Sequence, residues 1–106
     1  MSRELFWQKA RQEIGAKVAA LKSRGASELL RFTAVEETTP MGEGRFTAMI
    51  TTWGRELDSN KLAIVVELRM SRFGGLWDNL AADGFFVLPD GSRESLQERD
   101  LWNLGY

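Results

Sequence analysis

The chain contains neither cysteine nor histidine. Without thiols there is no disulfide framework, no thiolate nucleophile and no sulfur ligand for a metal. Without imidazole, the usual neutral-pH acid/base and the commonest zinc ligand are missing as well. What remains for catalysis is carboxylates, lysines, hydroxyls and the lone Tyr106. Each of these needs burial or a neighbour to work near neutral pH, and no spacing supplies one. An enzyme is therefore the less expected reading, a carboxylate-dependent one being what is left open, and no catalytic residue, cofactor or metal site is assigned. Long apolar runs are also lacking. Nothing approaches the roughly 20 residues that span a bilayer, and Met1 to Ala20 has no uninterrupted apolar block of the secretory kind. The expectation is a cytoplasmic chain without a membrane partner.

What is present is ordinary for a globular protein: 106 residues, 43% hydrophobic and 27% charged. That length supports one core, so residues 1–106 are expected to form a single α+β domain. The net charge of −1 hides an asymmetry. Residues 1–24 hold six basic and two acidic side chains, against eight and thirteen in the remainder. An acidic body repels phosphate within about a Debye length, so nucleic acid is not an expected partner.

Phe6, Ala10, Ile14, Val18 and Leu21 fall three or four apart, which predicts an amphipathic helix over 3–23 with Ser2 as its cap and Gly25 as its stop. Its basic flanks, Arg11, Lys17, Lys22 and Arg24, are expected to lay aliphatic stems along the seam with the sheet and carry their charges to water. Three runs then alternate with period two, Glu28–Glu37, Arg45–Trp53 and 61–72. They are joined by turns at Thr38–Gly44 and Asp58–Asn60. Residues 74–84 interrupt the pattern, and Leu76/Leu80 suits one or two helical turns or a structured loop. Phe85–Leu88 reads as a fourth, short strand followed by a Pro89–Ser92 turn. Ser95 and Glu98 match a capping box for a short C-terminal helix, while Arg93–Gln97 is an alternative fifth strand. The predicted architecture is an N-terminal helix on one face of an antiparallel meander of three to four strands, closed by a short C-terminal helix.

Even positions give the core face: Leu30, Phe32 and Ala34, then Phe46, Ala48 and Ile50, then Leu62, Ile64, Val66, Leu68 and Met70. Odd positions give a second face that one helix cannot cover. It carries Met49, Trp53 and Val65 where a solvent face is more polar, and such residues are enriched in interface cores. The expected function is a non-catalytic interaction module that forms a homodimer or binds a protein partner through Met49, Thr51, Trp53, Val65 and Val35. A second reading gives the same face a small anionic ligand, held by Arg31, Arg45, Thr47, Glu67 and Arg69. Against both stands a closed arrangement in which Trp77, Leu101 and Trp102 fold back over this face.

Overall fold

The computed structural model describes residues 3–41, 48–71 and 77–104. Helix α1 (Arg3–Lys22) leads into a short α2 (Ala26–Leu30) and a single 3-10 turn, Arg31–Thr33. Five strands follow: β1 (Glu37–Met41), β2 (Ala48–Glu56), β3 (Leu62–Ser71), β4 (Trp77–Val87) and β5 (Arg93–Ser95). Helix α3 (Glu98–Asn103) closes the order. The strands form one sheet in chain order, every neighbouring pair antiparallel. The fold is thus α+β, as the patterning predicts, with one strand more than the upper expectation.

The first sheet face is the core. Phe6, Ala10, Ile14, Val18 and Leu21 of α1 are buried against Ala48 and Ile50 of β2, Leu62, Ile64, Val66 and Leu68 of β3, and Phe85 and Val87 of β4. Burying a large apolar side chain contributes roughly 1.5–3 kcal/mol, so this layer is the main source of stability. Gly15 lies on the exposed side of α1, where its missing side chain leaves no hole. The basic flanks of α1 do more than reach water. Lys17 bonds Glu37 at 2.5 Å, Lys22 approaches Ser95 Oγ at 3.4 Å, and the Arg24 carbonyl accepts from Arg93 Nη2 at 2.9 Å. Two buried polar atoms on this face have no partner among the described residues, Oγ1 of the fully buried Thr52 and Nε of Arg93, which pairs with Val87.

Two expected elements take a different form. The predicted first strand, Glu28–Glu37, is α2 and the 3-10 turn as far as Thr33, and strand geometry begins only at Glu37. Leu29 and Phe32, three apart, are the buried pair, while Leu30 and Ala34 are exposed. A helical period therefore wins over the apparent alternation, helped by Ala26, Glu28 and two leucines of good helix propensity. The second correction is β4. Residues 77–84 are strand, because Leu68 pairs with Ala81 but Arg69 pairs with Asn79, so Leu80 is an extra residue in the ladder. This β-bulge breaks the two-residue period, and the broken pattern reads as helical spacing.

The remaining junctions follow local chemistry. Residues 58–60 form a 3-10 turn with Ser59 and Asn60 at positive φ, and the Leu57 amide donates to Lys61 across it. At 89–92, Asp90 Oδ1 accepts from both the amide and hydroxyl of Ser92, and Gly91 has φ of 88°. Helix α3 does carry a capping box, but it is Gln97 with Asp100. Ser95 is committed to β5 opposite Phe85 and cannot cap. The Ser2 cap, Phe46, Gly74 and Gly75, and the Gly42–Gly44 part of the first turn lie outside the described residues, as does the Met70 side chain.

Candidate functional site on the second sheet face

The second face divides into two halves. On one, Ala63 and Val65 of β3 and Phe86 of β4 are buried with Leu96 and Leu104, and Leu57, Ala82, Leu88, Leu101 and, at the border with the other half, Trp53 pack against them. The chain crosses the sheet closely here. A Cβ at Gly84 would stand 2.1 Å from the Ile64 carbonyl oxygen and 2.7 Å from Leu96 Cδ1, so only glycine permits the approach. The C-terminal segment therefore does return over this face, through Leu96, Leu101 and Leu104. Trp102, expected among the covering residues, is 69% exposed. The side chain of Trp77 lies outside the described residues.

The other half, toward β1, is built from β2 and β3. Thr51 faces Glu67 across the ladder, with Met49 opposite Arg69 and Trp53 opposite Val65. Residues two apart on a strand share a face, so Trp53, Thr51 and Met49 form one row and Val65, Glu67 and Arg69 the next. Glu67 is only 2% exposed. Its Oε1 accepts from Trp53 Nε1 at 3.1 Å, Arg69 Nε at 2.8 Å and Arg69 Nη2 at 2.5 Å. A buried carboxylate persists only with such charge-assisted partners. The network continues outward: Arg69 Nη1 lies 3.8 Å from Glu36 Oε2, and the Arg55 guanidinium stands 5.6 Å from the Trp53 ring centroid. Thr38 and Thr51 hydroxyls meet at 3.4 Å across β1 and β2. Met49, Trp53 and Arg69 keep part of their surface open, and Thr38 and Glu36 are exposed beside them.

At the corner before β1, Arg31, Phe32, Val35, Glu36 and Glu37 line a shallow cleft of about 340 Å³. Arg31 stands 5.8 Å from the Phe32 ring centroid. Glu37 is held below the ordinary carboxylate value of 4.5, first by the Lys17 hydrogen bond, which outweighs the opposing effect of burial, and further by the charges of Lys17, Arg24 and Arg31.

Of the residues expected to form an interface, Met49, Thr51 and Trp53 are neighbours, with Thr51 buried between the other two. Val65 lies under the C-terminal segment. Val35 precedes β1 and is 69% exposed at the cleft, not on a strand. Among the expected ligand residues, Glu67 and Arg69 are joined, while Arg31 belongs to the 3-10 turn and the cleft. Arg45 and Thr47 lie outside the described residues. Glu36 is the residue that sequence reasoning missed. It precedes the start of β1 by one position, and the register extended by one residue aims it at the same face as Trp53. Among the described residues, no three acidic side chains gather closely enough to hold a metal ion. No helix among them is long and apolar enough to cross a membrane.

Compared with family models, curated proteins and solved structures, the chain matches none.

Proposed function

We propose that this chain is a non-catalytic protein-interaction module whose contact surface is the open half of the second sheet face. The observation that carries this reading is the contrast between the halves. One is sealed by leucines of the chain's own C-terminal segment, whereas Met49 and Trp53 stay partly open over a buried Glu67 whose Oε1 is held by Trp53 and Arg69. Trp, Met and Arg at the centre of a patch, ringed by Thr38, Arg55 and Glu36, have the composition of an interface core and its polar rim. Glu67 Oε1 is occupied by three N–H donors, which suits it to rigidifying the patch and not to moving protons. The anionic-ligand reading is less favoured. Arg69 is already taken by Glu67 and Glu36, and Arg31 shares its cleft with two carboxylates, whose charge disfavours an incoming anion.

The test is quantitative affinity capture from cells with wild-type and Trp53→Arg baits, with thermal melting of both to verify the fold. A protein held by the wild type, whether another chain or this one, should be lost from the variant. Identical captured sets from two folded baits overturn the proposal.

A further inference from the structure

The sheet has two edges, and they differ. Strand β5 is three residues long, is followed two residues later by α3, and its Arg93 is tied to the Arg24 carbonyl just past the end of α1. Strand β1 is five residues long, and no strand among the described residues pairs with its outer side. Thr38, Thr39 and Pro40 are exposed. Natural edges are blunted by lysine, inward-pointing charge, bulges or proline. Here Pro40 removes one donor, and β1 carries neither a lysine nor a register shift. Its one charge, Glu37, is already paired with Lys17.

We infer that the partner is a second copy of this chain, added antiparallel along β1 about a twofold axis at Thr39. This rests on the reading above, because β1 borders the Trp53 strip and the pairing sets the two strips side by side. An isologous contact requires a segment to complement itself. Centred on Thr39, the register sets Thr39 opposite Thr39 of the second copy, Thr38 opposite Pro40 and Glu37 opposite Met41. Threonine pairs are favourable cross-strand neighbours, and the two Glu37 carboxylates are kept apart. The patch is also balanced in charge, with Lys17 and Arg31 against Glu36 and Glu37, so two copies meet without net repulsion. Pairing two β1 edges uses up the longer free edge and closes, so the contact does not propagate beyond two copies.

The experiment is light scattering over about a hundredfold concentration range, on the wild type, Thr39→Lys, Thr39→Glu and an equal mixture of the two variants. The expected mass rises from 12.0 kDa toward twice that value with concentration. Each variant alone should associate at least about tenfold more weakly, since like charges then face each other directly across the axis. The mixture should recover association, a result that misfolding of either variant cannot produce. Hydrogen exchange at the Thr38 amide, which faces the same side of the strand as Pro40, should slow as the dimer forms. A 12.0 kDa mass at every concentration overturns the second copy, and the interaction reading then stands or falls on the Trp53→Arg capture. A dimer indifferent to both Thr39 variants but lost in Trp53→Arg overturns the edge pairing while leaving the open face as the contact.

Discussion

The two halves of the second sheet face share a backbone and differ in what closes them. Around Val65, closure is apolar and internal, because Gly84 lets Leu96 lie against the ladder while Leu101 and Leu104 pack beside it. Around Glu67, the closure is polar, and the carboxylate is satisfied by Trp53 and Arg69 from its own sheet. The first half needs no partner to bury its apolar surface. The second has a rigid polar floor with partly open Met49 and Trp53 above it, an arrangement in which a binding surface is held in shape before anything binds.

The contrast makes Gly84 the most sensitive position on the covered side. Gly84→Val should cost about 3 kcal/mol or more, since the new side chain collides with the Ile64 carbonyl, which cannot move without breaking the ladder. Urea unfolding measures the loss, and a variant as stable as wild type means that Leu96 does not cross there. On the open side, Glu67→Ala should cost about 3 kcal/mol, because it strands the Arg69 guanidinium and the Trp53 N–H. The paired change Glu67→Leu with Arg69→Met should recover most of that loss if the ion pair is structural. Full recovery of stability with loss of partner capture would sharpen the division between what Glu67 does for folding and what it does for the surface.

Leu104→Ala should cost about 2 kcal/mol, while Trp102→Ala, two residues away but exposed, should stay within about 0.5 kcal/mol. Equal losses would mean that the C-terminal helix seats its other face. The sheet's two faces differ as well at adjacent threonines of β2. Thr52→Val should stabilise by about 1 kcal/mol by removing the unpartnered buried hydroxyl, whereas Thr51→Val gives up the contact with Thr38 and should not stabilise.

The smallest expected effect is the pH dependence of the tie between α1 and β1. The folded pKa of Glu37 lies below 4.5. Its stabilising contribution is therefore present above the unfolded value and is lost as pH falls through the folded value. The Glu37 side chain is 39% exposed and so screened by solvent, and the difference between wild type and Glu37→Gln should stay under about 1 kcal/mol near neutral pH. That difference should vanish under acid in urea titrations, and a gap that does not narrow as pH falls below 4.5 would rule out ionisation as its source.

The sequence was most legible where one period ran unbroken. Phe6 to Leu21 at helical spacing, and Leu62 to Leu68 at alternate positions, mark α1, β3 and the core face directly, because each side chain there meets one environment. Legibility failed where two periods competed over a few residues. Between Glu28 and Ala34 both a strand and a helix can be drawn, and burial of Leu29 and Phe32 together selects the helix. At Leu80 a single extra residue hides an eleven-residue strand, since a bulge is a property of the pairing and not of either strand alone. The candidate site was half legible. Trp53, Met49, Thr51, Glu67 and Arg69 share a face by parity, but Glu36 joins them only through register with β2, and Val65 leaves the open surface only because residues 96–104 return over it.

By itself, then, the sequence determined the α+β class, the helix-facing core and the set of β2 and β3 side chains on the second face, because these depend on spacing within one element. Tertiary structure alone decided which half of that face is covered, which carboxylate reaches Arg69 from β1's approach and which sheet edge is left bare. These depend on contacts between residues tens of positions apart, where burial at one site is settled by the path of the chain elsewhere.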